Sequence, residues 1–414
     1  MFPDLSVVHE LTTTRRWVIG LSSGSTLDGV DAVLLEAEGV GTETHLHVLH
    51  TTHLPYPSDL QELIRHVAIS SKVNIQHTSV LHSLLGEAFS AAAIQVVNQI
   101  GFGLRNVQCI GCPGHTIYHN PDHRYPSTLG LGMPAMIAER TGITTVSDFQ
   151  SRDLVVGGKG TALTSLVDYI LYRHPTENRI LINLGGVSTV VALPAGCSPK
   201  QLQGFQAGPC SSFLDGLITR MTRGKETFDA GGKQAVQGRC IEPLLQQWLA
   251  NPILNRQPPK TLQQHHFGEE MINQTLEFSR ANNWLPRDVL CTATYLVANS
   301  ITSALERFVF FRPDRIIFSG GGVRNGLLRK LLEQQHRDVE LTTISEMGIP
   351  EQSRKAIGFG GLAALTMDGV PANLMSVTGA KGARLLGSIT PGSATNWAKC
   401  LQWMMRQTSH LVPA

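Results

Sequence analysis

The chain has 414 residues, 42% of them hydrophobic, enough for two domains of ordinary size with a core each. Only 16% are charged and the formal net charge is +2, which gives no electrostatic footprint for nucleic acid or for a membrane surface and excludes both as expected partners. The seven cysteines are odd in number and scattered, so they read as reduced thiols; with no basic start followed by an apolar leader and no run of about eighteen apolar residues, the expected location is the cytoplasm.

In chain order, residues 17–21 and 30–36 read as strands of an antiparallel hairpin around the turn Gly24, Ser25, Thr26, Leu27, Asp28, Gly29, with 45–53 as a third strand. Residues 79–99 carry Leu81, Leu84, Leu85, Ala88, Ala92, Val96 and Val97 at helical spacing. Strand 107–111 ends at Cys112, Pro113, Gly114, His115, Thr116, and strand 143–146 ends at Asp148; open sheets hold ligands at such strand ends. Cys109 and Cys112 have CxxC spacing, but no second pair or ligand-spaced histidines accompany them, so they read as small thiols at a strand end and no metal is expected.

Gly157, Gly158 and Gly160 precede a helix at 164–172, and strands 179–184 and 189–193 form a second hairpin around Asn183, Leu184, Gly185, Gly186, Val187, Ser188. A long helix at 288–308, a strand at 315–318, the triplet Gly320, Gly321, Gly322 and helices at 326–335 and 351–367 complete an α/β pattern in which each half opens with strand, small-residue turn, strand. Residues 250–259 read as a linker, and the tail after Gly379 is little patterned.

The chemistry of the turns follows from their residue types. Gly24, Gly185 and Gly186 let backbone N–H groups approach phosphate oxygens, the Ser25 and Thr26 hydroxyls add donors, and Asp28 suits a metal ion or its waters. Gly320, Gly321 and Gly322, followed by Asn325, run from strand to helix and offer an adenosine seat. The same glycines also serve hairpins and strand–helix packing in a fold that binds no nucleotide.

The run Gly20, Leu21, Ser22, Ser23, Gly24, Ser25, Thr26, Leu27, Asp28, Gly29, Val30, Asp31 resembles the N-terminal signature of the anhydro-N-acetylmuramic acid kinases, with the usual Thr-Ser order inverted. The block Ala138 to Ile143, Ser147 to Leu154 and Gly157 to Gly160, then Gly204 to Pro209, Phe228-Asp229, Pro258-Pro259-Lys260, and Gly320 to Gly322 with Asn325, resembles the same family in order and approximate spacing. The resemblance implies an actin/hexokinase/Hsp70-type fold, two α/β domains around an interdomain cleft, here about 1–155 with 368–414 and 156–367. It also implies ATP with Mg as cofactor, a small-molecule ligand, a homodimer, and a reaction that opens a 1,6-anhydro ring with water while phosphorylating the sugar's O6.

Departures from the family pattern fall on the sugar side. Gln206 stands where the family's water-activating Asp lies in Phe-Asp-Thr-Gly-Pro, and an amide does not accept a proton. Lys355 reverses the charge of a family Glu, and Cys112, Pro113, Gly114, His115, Thr116 replace Ser-His-Gly-Gln-Thr. Ser188 and Thr189 replace Ala-Asn, and Cys210, Ser211, Ser212 replace Gly-Asn and its neighbour. The expected catalytic set is Gln206, His115 as a replacement base, and Asp28. Cys112, Pro113, Thr116, Arg152, Gln206 and Lys355 are the expected substrate contacts, Arg152 reaching an anionic group or pairing with a neighbouring aspartate. Three readings follow: an enzyme repurposed for a less polar ligand with the sugar kinase reaction lost, a kinase with a substitute base, and a nucleotide-binding regulatory protein without turnover.

Overall fold

The computed structural model describes residues 14–24, 27–69, 73–262 and 266–408. It divides into two compact units, Met1–Leu171 with Lys355–Asn373 and Lys381–Ala414, and Tyr172–Arg354 with Leu374–Ala380.

In the first unit β1 (Arg16–Ser23), β2 (Gly29–Glu38) and β3 (His45–Pro55) form an antiparallel meander because their apolar residues face a common core. β4 (Val107–Gly111) adds parallel to β1; β5 (His115–Asn120) and β6 (Ser127–Leu131) make a separate hairpin; β7 (Thr144–Ser147) adds parallel to β4. The helix Ile75–Asn98 packs Leu81, Leu85, Phe89, Ala92, Ala93, Val96 and Val97 into this core. It is long and apolar enough to cross a membrane, but half of its most apolar stretch is buried inside the unit, as in a core helix.

The helix Arg354–Met367 lies directly on the same sheet. A Cβ placed on Gly20 would stand 1.8 Å from the Ala356 carbonyl oxygen, and one on Gly111 would stand 2.0 Å from that of Phe359. Glycine in the two central strands is therefore a condition of this helix–sheet contact. That contact, and Gly361 against Val167, assign the helices Ser165–Tyr172 and Arg354–Met367 essentially to the first unit, whereas the sequence reading grouped 156–367 with the second.

In the second unit β8 (Arg179–Leu184), β9 (Val187–Leu193) and β10 (Gln203–Pro209) form the meander, with β11 (Arg315–Ser319) parallel to β8 and β12 (Glu340–Thr343) parallel to β11. The second sheet runs β10-β9-β8-β11-β12 and the first runs β3-β2-β1-β4-β7 before a sixth strand from the tail at its β7 edge, so both units share one wiring of three antiparallel strands followed by two parallel ones. This repeated α/β topology is the actin/hexokinase/Hsp70-type arrangement that the family resemblance implies. A second core lies against the helices Ser211–Met221 and Pro286–Phe308.

Residues 250–259 are not a linker: they hold the helix Pro252–Asn255, whose Ile253 and Leu254 are buried in the second core. The tail is also structured. β13 (Ser388–Thr390) pairs with β7, and in the helix Ala394–Thr408 the Asn396 side chain bonds to Thr144 N at 2.7 Å and to the carbonyls of Val107 and Gln108 at 3.1 and 3.0 Å.

Candidate functional site

The first group of site residues gathers at the end of β1. Ser23 is the strand's last residue, and the turn beyond it closes through Leu27 N to Gly24 O at 3.2 Å, with Leu27 at φ +57°. Ser25 and Thr26 lie outside the described residues. Ser23 Oγ lies 2.9 Å from His115 Nδ1 and accepts the Tyr56 hydroxyl at 2.9 Å. His115 opens β5 and is buried; burial first, then the Lys355 ammonium, pulls its pKa down to about 4, so the imidazole is neutral at physiological pH. Burial pushes the Tyr56 phenol up, which keeps it a donor.

Asp31 on β2 meets His53 on β3 at 2.8 Å between Oδ1 and Nδ1, and burial raises its pKa while the His53 bond and, to a lesser extent, the Lys355 charge oppose the rise. Asp28 is exposed at the turn, its carbonyl accepting Tyr56 N at 3.1 Å. His115, Lys355 and the Gly24–Asp28 turn thus share one neighbourhood. Ser23, Tyr56, Asp31 and His53 join them without having been singled out. Tyr56 arrives because β3 ends at Pro55 opposite Gly29, a register that no local motif announces.

The remaining expected substrate contacts divide. Pro113 is half-buried, while Thr116, Arg152 and Lys355 are exposed. Cys112 is a correction: its N–H continues the sheet to Val146 O at 2.9 Å, its side chain is packed in the first core, and burial pushes the thiol up to about 12, so it presents no surface to a ligand.

The second group lies in the second unit. The carbonyls of Gly185 and Gly186 accept N–H groups at the start of the helix Ser211–Met221, Ser211 N to Gly185 O at 3.0 Å and Ser212 N to Gly186 O at 3.1 Å. Because a trans peptide sets its N–H opposite its carbonyl, the Gly186 N–H points away from that helix. Asn183 stands between the two glycine turns: its amide meets a Cβ built on Gly185 at 2.8 Å and one built on Gly320 at 2.9 Å.

Gly320, at φ +87°, and Gly322 lie tight against Leu184, where a Cβ would come within 2.8 and 2.7 Å. Packing alone therefore requires glycine at both positions. Gly321 faces open space. Asn325 caps the helix Gly326–Gln335 by accepting Leu328 N at 3.1 Å, and a Cβ on Gly232 would touch its Oδ1 at 2.4 Å.

A family model described as anhydro-N-acetylmuramic acid kinase matches residues 16–392. The chain belongs to that family. It is 37% identical over 376 residues to the anhydro-N-acetylmuramic acid kinase of Gloeobacter violaceus, covering 90% of this chain and 98% of that one. It is 33% identical over 384 residues to the anhydro-N-acetylmuramic acid kinase of Caldanaerobacter subterraneus, covering 91% and 97%. Among solved structures it resembles component A of the (R)-2-hydroxyglutaryl-CoA dehydratase of Acidaminococcus fermentans at 10% identity, 83% and 96% coverage and a TM-score of 0.41.

In this member of the anhydro-N-acetylmuramic acid kinase family, Gln206 sits at a bulge in β10 between Gln206 and Gly208. Bulges re-aim side chains. Its Oε1 accepts Leu262 N at 2.5 Å and its own backbone N–H reaches Lys260 O at 3.3 Å, which leaves the side-chain NH₂ as a donor. Lys260 is buried, gives Nζ to Leu254 O at 2.7 Å and lies over the Phe308 ring, which ties the Gln206 strand to the core. Ser188, which differs from the family pattern, is fully buried; its hydroxyl donates to Gly208 O at 2.9 Å and accepts Gly208 N at 3.0 Å, stitching the bulge.

Asp215, on the helix Ser211–Met221, was not foreseen. Burial pushes its pKa up to about 7, and its carboxylate has no hydrogen-bond or ion-pair partner among the described residues. Below about pH 4 it is protonated whether folded or unfolded. Above that the folded state alone holds the proton, and beyond pH 7 the folded state carries a poorly solvated carboxylate. Asp215→Asn is therefore expected to stabilise the protein at pH 8 by roughly 2 kcal/mol, half of what the shift implies, since the group is partly exposed. In thermal unfolding the gain should shrink toward pH 5; a gain constant from pH 5 to 8 counts against this account.

Proposed function

We propose that this chain is a cytoplasmic, nucleotide-binding member of the anhydro-N-acetylmuramic acid kinase family that acts on a less polar hydroxylated small molecule and has lost the family's water-activated ring opening. The observation that carries this reading is Gln206. An amide does not take up a proton near neutral pH, and a site that needs a general base there has none. The Pro113 change removes a backbone donor in the first unit in the same sense.

The open Gly321, the outward Gly186 N–H and the helix beginning at Gly326 fit an ATP at the second unit's glycine turns. Bound Mg-ATP would supply the phosphoryl group. Thermal stabilisation by millimolar Mg-ATP tests the nucleotide part; no shift overturns it. An assay of ADP release with 1,6-anhydro-N-acetylmuramic acid tests the rest, with negligible turnover expected and a family-like rate overturning it.

One observation favours a second reading, a sugar kinase with a substitute base. His115 is neutral and held by Ser23, and a pKa of about 4 matches that of an ordinary aspartate, so it accepts a proton about as readily as the missing carboxylate. On that reading the wild type turns over the anhydrosugar and His115→Ala abolishes it.

A further inference from the structure

Asp215 occupies a defined place among the second unit's turns. On the helix Ser211–Met221 the residues Phe213, Leu214, Leu217 and Ile218 face the core, while Ser211, Asp215 and Thr219, spaced by four, share a partly exposed face. At one end of this face the Ser211 N–H is fixed to Gly185 O. At the other, the loop that follows is tied back through Gly224 N to Thr219 O at 2.7 Å and Glu226 N to Thr222 Oγ1 at 3.0 Å. That loop continues to Asp229, whose carboxylate accepts Gln234 N and Ala235 N at 3.0 and 2.9 Å, and to Gly232 against Asn325.

To the side, Cys210 at the head of the helix brings its sulfur within 3.5 Å of a Cβ built on Gly322, and the Asp215 charge reaches that thiol. Asp215 therefore lies one helical turn beyond Ser211, on the face whose first residue is fixed to the Gly185 turn, and the Gly224–Gly232 loop follows the end of the same helix. It is a half-buried carboxylate without a partner of its own among the described residues.

Resting on the nucleotide reading above, we propose that Asp215 receives the ribose hydroxyls of the bound nucleotide and makes the site selective for ribonucleotides over 2′-deoxyribonucleotides. A carboxylate only accepts, and a vicinal diol offers two O–H donors spaced for its two oxygens. Phosphate oxygens carry the same charge as Asp215 and are repelled from it, so among a nucleotide's polar groups the ribose hydroxyls suit it. A ligand that supplies these donors also relieves the desolvation of the group, which gives a carboxylate without protein partners a reason to stand there.

Isothermal titration of the full chain with ADP and with 2′-deoxyADP tests the assignment. The wild type is expected to prefer ADP by about ten-fold, the range of one lost hydrogen bond to a charged acceptor. Asp215→Ala should bind both equally, with the affinity the wild type shows for 2′-deoxyADP. Asp215→Asn keeps the volume and one acceptor and should show an intermediate preference, which also guards against a misfolded alanine variant. Equal affinities in the wild type, or a preference unchanged in both variants, overturn the role of Asp215 while leaving nucleotide binding intact. No binding of ADP by the wild type overturns the nucleotide reading and this inference together.

Discussion

Replacing Gln206 by Asp is expected to raise ADP release with 1,6-anhydro-N-acetylmuramic acid by about 10² to 10⁴ fold over the wild type, the usual contribution of a positioned general base. The main chain already suits a carboxylate: the Leu262 N–H that Gln206 Oε1 accepts at 2.5 Å would bond a carboxylate oxygen as well and favour its ionised form. Asp is shorter than Gln by one methylene, so reach and charge change together. Gln206→Glu separates them, because it keeps the side-chain length and the Leu262 contact and puts an oxygen where the amide NH₂ now lies. If Asp restores turnover and Glu does not, the position of the base decides; if both do, charge suffices. Release of ADP by both variants at the wild-type rate would mean that Gln206 is not where the reaction was lost.

The fold was legible where apolar runs are bounded by small-residue turns. β1, β2, β8, β9 and β11 follow that pattern, and the helix Ile75–Asn98 carries its apolar residues at strict spacing. β10 was not foreseen because Gly204, Gly208 and Pro209 lower its strand propensity; it is held by its ladder to β9 and by Ser188 across the bulge. Gly20 and Gly111 gave no signal, since a glycine needed for clearance under a distant helix looks like any strand glycine. Motif resemblance singled out His115, Lys355 and Gln206, whose types depart from the family's. The contacts that define their chemistry were beyond reach: Tyr56 reaches Ser23 through sheet register, and Cys210 comes against Gly322 through helix packing. Cys112 was misjudged because a strand-end position says nothing about which way the side chain turns.

The tail after Gly379 is closed onto the first unit by a buried ion pair, and Asp368→Ala is expected to destabilise the protein by about 3 to 5 kcal/mol in urea unfolding at pH 7. Asp368 Oδ2 accepts Arg16 Nη2 at 2.7 Å and Gly41 N at 2.9 Å, and its Oδ1 accepts Trp403 Nε1 at 2.8 Å. Arg16 in turn lies 4.5 Å from the Trp403 ring and gives Nη1 to Gly39 O at 2.6 Å. Burial nonetheless raises the Asp368 pKa and lowers that of Arg16, so desolvation outweighs their attraction and the pair adds little net stability over apolar residues. Removing one partner is another matter: it leaves the Arg16 guanidinium in the interior with no counter-charge and frees the Gly41 and Trp403 donors. Because Trp403 is one of the few buried side chains of the helix Ala394–Thr408, Asp368→Ala should also make that helix accessible to limited proteolysis. The double variant Arg16→Met, Asp368→Leu removes both charges and should recover most of the lost stability. If Asp368→Ala costs less than about 1 kcal/mol and leaves the tail resistant, the pair does not anchor it, and the strand β13 and Asn396 alone hold the tail.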